Sequence, residues 1–188
     1  MRQFTSRALA WLALAVLAGG PACAQSENRS ASPLRAEQFA VSSIQVRPGS
    51  SVSPPRAVRD RLRSPDGRSE AYFQFAAQGL ESASARLMAG SVGAPAREIA
   101  QVVNPYGLAW HPEGRTIAFS EGTVVHLVDS DGQTRMLLYS GPGGPYPGAC
   151  FNLTWSADGR TLSCEQVESV EREELANPST VTITLNVR

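Results

Sequence analysis

The sequence predicts an all-β fold built from about three four-stranded antiparallel units. A turn motif occurs three times, at Ser64–Arg68, His111–Arg115 and Ser156–Arg160. The glycines of these turns are 47 and 45 residues apart, and a nearly constant period of this kind is typical of repeat architectures. Short β-prone segments flank each turn. Because one four-stranded propeller blade has about this length, the chain is predicted to form an incomplete or partial β-propeller.

The chemistry of the turn explains why each copy should join two strands. Proline or alanine suits its first central position, an acidic residue the next, and glycine adopts the positive φ that closes the hairpin. In the second copy, Gly107–Trp110 precedes the turn and Thr116–Phe119 follows it. Two more predicted strands, Thr123–Val128 and Arg135–Tyr139, are joined at Asp129–Gly132 and complete a sheet.

The first and third copies follow the pattern less closely. In the third copy Phe151–Trp155 and Thr161–Cys164 flank the turn, and Thr180–Leu185 predicts one further strand. In the first copy Arg63 stands where the others have tryptophan, and Gln78–Ser84 predicts a long loop. Terminal repeats are often atypical, so these departures are compatible with a repeat fold.

Residues 1–24 have the three regions of a signal peptide: a basic start, an apolar run from Ala8 to Ala18, and small residues ending at Ala24. The apolar run is about half of the roughly twenty residues that a bilayer-spanning helix needs. We therefore expect cleavage, no stable membrane anchor, and a periplasmic or secreted mature protein. Lipidation of Cys23 is the alternative, although the leucine usual three positions upstream is absent.

The rest of the chain divides into a leader and a repeat region. Residues 25–56 are rich in Ser, Pro, Arg and Gln, which predicts a flexible leader. Within it the alternating segment Phe39–Val46 predicts one strand, and a wholly disordered linker is the alternative. Residues 57–188 carry the repeats and are long enough for one domain with a core.

The charge composition argues against nucleic-acid binding. All 17 basic residues are arginine, and without residues 1–24 the chain has 15 arginines and 17 acidic residues. A chain with this slight negative charge and no basic patch is not expected to bind nucleic acid.

Residues Leu108–Ser120 and Val125–Gly132 resemble the TolB-type, WD-repeat-like β-propeller repeat. The resemblance covers roughly residues 57–188. It implies a propeller that is periplasmic or extracellular and binds proteins or peptides, although some members serve as the gating domain of a serine peptidase. The leader is too short for the α/β domain that precedes the propeller in TolB, so we do not expect TolB itself.

Three blades leave the ends of the propeller open, because closed propellers have four to eight. Unpaired strand edges favour association, so some cover is expected. Two chains could pair into a six-bladed homodimer, the leader strand at Phe39–Val46 could cover an edge, or the chain could form an open sandwich. The sequence leaves all three arrangements open.

Tyr106 and Tyr146 are the predicted ligand contacts. They lie in Asn104–Gly107 and Gly141–Gly148, segments expected at the rim where inner strands begin, and loops there commonly carry binding. The alternative is that both tyrosines merely cover the core. Because the chain has no lysine, the glycine-rich segment is not a Walker phosphate loop.

Cys150 and Cys164 are predicted to form a disulfide. They are the two cysteines left after removal of residues 1–24, and an even number in an oxidising compartment favours pairing. Counting back around the hairpin places them nearly opposite each other on neighbouring strands. Two small buried thiols are the alternative.

The sequence shows no catalytic pattern. His111 lies in a turn, His126 lies within a strand, and no Gly-x-Ser-x-Gly motif or metal-ligand spacing accompanies them. We therefore expect no cofactor and no metal. The predicted function is non-catalytic binding of a protein or peptide in the cell envelope. The alternatives are an accessory propeller subunit of an envelope enzyme and a structural envelope component.

Overall fold

The structure of the chain is a computed structural model. It describes residues 35–51, 53, 60–75, 84–141, 148–168 and 178–187, all within one compact unit, 32–188. The signal peptide 1–24, Cys23 and Tyr146 lie outside the described residues. No helix in the described part of the chain is long and apolar enough to cross a bilayer.

Twelve strands lie within the described residues, and they form three four-stranded antiparallel sheets, which confirms the predicted fold class. In chain order the strands are β1 (Phe39–Pro48), β2 (Leu62–Arg63), β3 (Ser69–Phe75), β4 (Ser84–Ser91), β5 (Arg97–Val103), β6 (Pro105–Trp110), β7 (Thr116–Glu121), β8 (Val124–Asp129), β9 (Arg135–Ser140), β10 (Ala149–Trp155), β11 (Thr161–Val167) and β12 (Ser179–Val187).

The first two sheets are built from consecutive strands, β2–β5 and β6–β9. The third has the order β1-β12-β11-β10, so its outer strand comes from the leader. β1 runs antiparallel to β12 and places Ile44 opposite Ile183 and Val46 opposite Val181. The predicted leader strand therefore exists, and it covers the outer edge of the third sheet.

The leader is also held just before β1. Ala36 is fully buried, and its backbone N–H donates to the buried Asp129 carboxylate across 2.8 Å. Arg35 lies 3.9 Å from the other oxygen of Asp129. Phe39 is 1% exposed and packs edge-on against His111, with ring centroids 5.1 Å apart. These contacts fix the point at which β1 begins.

The repeated turns have the predicted conformation. Gly67, Gly114 and Gly159 have φ of +70°, +75° and +68°. The Gly67 N–H donates to the carbonyl of Ser64 across 2.8 Å, and the Ser64 hydroxyl donates to Asp66 across 2.6 Å. The third turn repeats both bonds with Ser156 and Asp158. The second turn keeps the backbone bond but has His111 in place of the serine.

The core lies between neighbouring sheets. The interface of the first and second sheets buries chiefly Ala71, Phe73, Leu87, Ile117 and Phe119. The interface of the second and third sheets buries chiefly Val125, Leu127, Leu162, Ile183 and Leu185. Each apolar sheet face is thus covered by the next sheet, which is how propeller blades stack.

The outer face of the third sheet is polar. Successive residues of a strand point to opposite faces, so the burial of Val181 and Ile183 directs Thr182 and Thr184 outward. The ladder aligns Thr182 with Ser163 and Gln45, which continues this hydroxyl- and amide-rich face across the sheet. A polar outer face is the usual way in which a terminal repeat meets solvent.

Candidate functional site

The three inner strands form an open groove. β2, β6 and β10 are each an edge strand of a sheet, and β6 packs against both of the others. At the ends of these strands, where the three repeated turns begin, the strands and turns line a cavity of about 370 Å³. The lining is mainly apolar and comes from all three repeats, including Leu62, Ala109, Pro112 and Leu153. Concave apolar sites of this kind are the usual places for ligand binding.

Two tryptophans at equivalent repeat positions line the groove. Trp110 is 8% exposed, and its Nε1 donates to the carbonyl of Leu62 across 3.0 Å, which links the second sheet to the first. Trp155 packs edge-on against the His111 ring at 4.7 Å. Its buried Nε1 has no acceptor among the described residues.

His111 packs against Trp155, one of the two tryptophans that line the groove. Its Nδ1 lies 3.3 Å from the backbone N–H of Glu113, so Nδ1 accepts and Nε2 carries the proton of the neutral ring. Nε2 in turn lies 3.2 Å from the Gly159 carbonyl, to which it donates. Burial is the main cause that lowers the pKa of His111. Nε2 therefore connects the second turn to the third, while the Nδ1 bond closes the second turn on itself.

His126 lies away from the groove, where the second sheet meets the first. It stacks on Phe119 with ring centroids 5.0 Å apart, and its Nε2 accepts from Arg135 across 3.0 Å. Glu121 lies 3.6 Å from the same nitrogen. Burial, followed by the positive charge of Arg135, lowers the pKa of His126 to about 4. The ring is therefore neutral at neutral pH.

Tyr106 lies at the opposite end of β6 from the groove. It occupies a bulge between Pro105 and Gly107 and packs against the buried cluster of Ala149, Phe151 and Val167. Burial raises its pKa. This packing is that of a residue covering the core, and a ligand contact at Tyr106 stays a prediction. Tyr146, its proposed counterpart, lies outside the described residues.

The predicted disulfide is not formed in this structure, where Cys150 and Cys164 are buried free thiols. Cys150 faces Gln166 in the ladder, because the register shifts between Phe151 and Thr154. The two cysteines are therefore diagonal neighbours rather than directly opposed. Their thiols still interact, since the neighbouring Cys164 and burial together raise the pKa of Cys150.

A second hollow lies on the outer face of the third sheet. Its polar groups already bind one another. Glu165 accepts from the backbone N–H and the hydroxyl of Ser53, across 2.7 and 2.9 Å, and from the Asn152 amide across 3.1 Å. The groove between the inner strands is therefore the better candidate for a ligand.

Sequence reasoning missed the groove. Its walls come from three short segments about 45 residues apart, and neither tryptophan was proposed as a contact. The available signal was the repeat itself. Residues that follow one another by a full repeat, such as Arg63, Trp110 and Trp155, converge on the same site when the sheets stack side by side.

Several solved structures are similar to part of this chain. A protein assigned as a TolB from Agrobacterium tumefaciens is 18% identical with a TM-score of 0.44, over 63% of this chain and 44% of that one. The dipeptidyl peptidase 4 of Porphyromonas gingivalis is 17% identical with a TM-score of 0.43, over 70% and 22%. The acylaminoacyl peptidase of Pyrococcus horikoshii is 15% identical with a TM-score of 0.44, over 62% and 18%.

No protein-family model and no curated protein matches the chain. The comparisons assign it to no family. The chain spans less than half the length of each of these three structures.

Proposed function

We propose that this chain is an exported, non-catalytic module of the TolB-like propeller type that binds a protein or peptide of the cell envelope. The observation that carries the proposal is the groove, because all three repeats contribute to it and its walls are apolar with two tryptophans. Clusters of aromatic residues in concave sites are typical of energetically important binding surfaces.

The histidine environments support the non-catalytic part of the proposal. His111 donates from Nε2 to the Gly159 carbonyl of the third turn and accepts at Nδ1 from Glu113 of its own turn, and His126 accepts from Arg135. Among the described residues, no group of three or more His, Cys, Asp and Glu side chains could hold a metal ion. These bonds account for both histidines through structure alone.

The periplasmic part of the proposal rests on the pattern of residues 1–24. Determination of the N-terminus of the exported protein tests it directly, and cleavage after Ala24 is expected. Cleavage immediately before Cys23 would instead indicate the lipidated form, and an intact Met1 would contradict export by a cleaved signal.

Site-specific crosslinking tests the groove as the binding surface. A photoreactive amino acid replaces Ala109 in the groove in one variant and Thr182 on the outer face of the third sheet in the other. We expect discrete crosslinked products in intact cells from position 109 and none from position 182. Equal labelling from both positions, or no product from the groove, would contradict the proposal.

The identity of the crosslinked product distinguishes the related functions. A product with a non-enzymatic envelope protein or a peptide supports the binding module. A product with a subunit of an envelope enzyme would instead identify the chain as an accessory propeller.

A further inference from the structure

The outer strand of the third sheet, β1, pairs with β12 on one side and has a free edge on the other. With ten residues it is the longest edge strand in the described part of the chain. Between the register shift that follows Val41 and the proline at its end, Ser43–Arg47 pairs regularly with β12. Alternate residues of a strand direct their backbone N–H and C=O groups to the same side. The edge segment Ser43–Arg47 therefore offers donors and acceptors to a further strand.

The corresponding edge of the first sheet is covered by side chains. In β5, the carbonyl of Gln101 accepts from Arg135 across 3.3 Å, and the backbone N–H of Val103 donates to Glu121 across 2.8 Å. Arg135 and Glu121 belong to the second sheet. Within the described residues, no side chain forms such a bond to the outer backbone groups of the edge segment. The edge of β1 is therefore open where that of β5 is closed.

The inner side of the edge segment is apolar. Ile44 and Val46 lie opposite the buried Ile183 and Val181 in the ladder and so point to the same face of the sheet. They are nevertheless 43% and 52% exposed, because no strand lies beyond β1. A strand added at this edge would place its own apolar side chains beside them and remove both from water.

The outer side of the edge segment carries an arginine with no acidic partner in the described part of the chain. Arg47 lies opposite Thr180, and Glu165 is the next residue in the same row, but hydrogen bonds from other groups already occupy that carboxylate. The printed bond of the Arg47 guanidinium is to Gln45. β1 contains no acidic residue, so a second copy of this strand could not supply one. Charge complementarity therefore favours a different chain that brings an acidic residue.

We propose that the edge segment of β1 binds an extended peptide by strand addition, with apolar residues of the peptide beside Ile44 and Val46 and an acidic residue beside Arg47. In this mode of recognition, backbone hydrogen bonds supply affinity and alternate side chains supply selectivity. β1 and β10 are the two opposite edges of the third sheet, and the groove lies at β10. The site is therefore separate from the groove and goes beyond the proposed function.

Synthetic peptides with an N-terminal fluorophore measure binding by fluorescence anisotropy. The probes have the sequence Ser-Glu-X-Thr-X-Thr-Ser with an amidated C-terminus, where X is Val, Ile or Phe. In antiparallel addition the glutamate lies beside Arg47, and the X residues lie beside Val46 and Ile44. We expect at least one probe to bind about tenfold or more tightly than its isomer Ser-Glu-X-X-Thr-Thr-Ser, because adjacent X residues point to opposite faces of a strand.

N-methylation of the best probe tests strand addition directly. Only one edge of the peptide can face β1, so only alternate N–H groups of the peptide can donate to it. Two forms carry N-methyl groups at alternate residues, one form for each edge. We expect one form to bind about tenfold or more weakly than the unmethylated probe, because its hydrogen bonds to β1 are lost, and the other form to bind like that probe.

Charge reversal assigns the site to β1. Arg47→Glu is expected to reverse the preference, so that a probe with lysine in place of glutamate binds more tightly than the original. Arg97→Glu is the matched control, since Arg97 is an exposed arginine of β5, the outer strand of the first sheet, and donates to the carbonyl of Ser130. Its preference should equal that of the parent protein. Urea midpoints establish that each variant is folded.

Four outcomes would overturn the proposal. They are equal binding of probe and isomer, equal weakening by both N-methylated forms, an unchanged preference in Arg47→Glu, and no binding of any probe. In the last case, a dimer in light scattering that Val46→Lys dissociates would identify a second copy as the occupant of the edge. Crosslinking from Ala109 reports on the groove independently, so none of these outcomes bears on the proposed function.

Discussion

Position 159 requires glycine for two reasons: its backbone conformation and the close approach of His111. Its φ of +68° lies in the left-handed region, where a side chain is strained. A Cβ at this position would also overlap with Nε2 of His111. Gly114, at the same place in the second turn, has a φ of +75°, but its Cβ would make only ordinary van der Waals contacts, with Pro65 at 3.8 Å, Ser64 at 3.9 Å and Asp66 at 4.0 Å.

These two glycines allow strain and overlap to be measured separately. Gly114→Ala should lower the free energy of unfolding by about 1 kcal/mol, the cost of the left-handed conformation for alanine. Gly159→Ala should cost about 2–4 kcal/mol, because His111 must move as well and its bond to the Gly159 carbonyl is lost. Urea unfolding measures both. Equal losses of unfolding free energy in the two variants would show that His111 moves away from the new Cβ at no energetic cost.

The buried thiols should be unreactive in the folded protein. Thiolates are the reactive form, and both burial and the raised pKa of Cys150 oppose their formation. We expect Cys150 and Cys164 to resist a thiol reagent in native protein and both to react after unfolding without reductant. If neither reacts after unfolding, the pair is oxidised and the disulfide predicted from the sequence is present in the exported protein.

His126 is expected to make the free energy of unfolding decrease in mild acid. Its pKa is about 4 in the folded state, below the ordinary value of 6.5. Between these values the unfolded chain binds more protons, so stability is full above pH 6.5 and falls as the pH decreases. The shift corresponds to at most about 3 kcal/mol, which solvent screening reduces to about 1–2 kcal/mol. The lowered pKa of His111 acts in the same direction.

Urea unfolding at pH 7.5 and pH 5.0 measures this effect. The parent should lose stability between the two values, and His126→Gln should lose about 1 kcal/mol less because the titrating ring is gone. The groups that face this ring, Arg135 and Glu121, remain in the variant. Identical losses in parent and variant would rule out His126 as the source.

At the scale of elements, β1 is attached chiefly at its beginning. Phe39 is buried between the second and third sheets, whereas Val41, Ile44 and Val46 are 36%, 43% and 52% exposed. The ladder to β12 supplies hydrogen bonds along the strand, but its apolar anchoring is concentrated in one side chain.

Phe39→Ala should therefore lower the free energy of unfolding by about 3–5 kcal/mol, as expected for a buried phenylalanine. Val46→Thr on the same strand should change it by less than about 0.5 kcal/mol, because that side chain is half exposed. Thermal or urea unfolding measures both changes. A similar small loss for both variants would mean that β1 contributes little to the folded state.

The elements were predicted well where the information is local. The turn chemistry and alternation around Ser156–Arg160 and His111–Arg115 located strands close to those observed, and Phe39–Val46 was recognised as a strand. Its partner could not be predicted, since β12 is more than a hundred residues away. The register shift between Phe151 and Thr154 could not be predicted either, because a β-bulge does not change the hydrophobic pattern of the sequence in a recognisable way.

At the largest scale, the described residues form a stack of three sheets, and the leader strand β1 completes the third sheet. The outer face of the third sheet presents Thr182, Thr184 and Ser163 to solvent. The outer face of the first sheet presents Gln74 opposite Arg86 and Tyr72 opposite Met88, with the Arg61 guanidinium over the Tyr72 ring. Charged groups thus lie across both outer faces or cover their apolar residues, whereas the buried centre of a stable protein interface is depleted of charged residues.

We therefore expect residues 25–188 to be a monomer in solution. Light scattering over a range of protein concentrations measures the mass. A mass that stays at one chain contradicts the six-bladed homodimer, which was one of the arrangements that the sequence left open. A stable mass of two chains would support that ring and require that the polar faces be buried.

The pairing of Phe39 with Val187 also constrains the order of folding. Of the described strands, β1 is made first and β12 last, and β1 cannot pair until β12 has been made. The third sheet therefore has a high contact order and is expected to form slowly. The first two sheets contain only neighbouring strands and can assemble earlier. Until β12 arrives, β1 is a free edge, and this interval is when the nascent protein is most prone to aggregate.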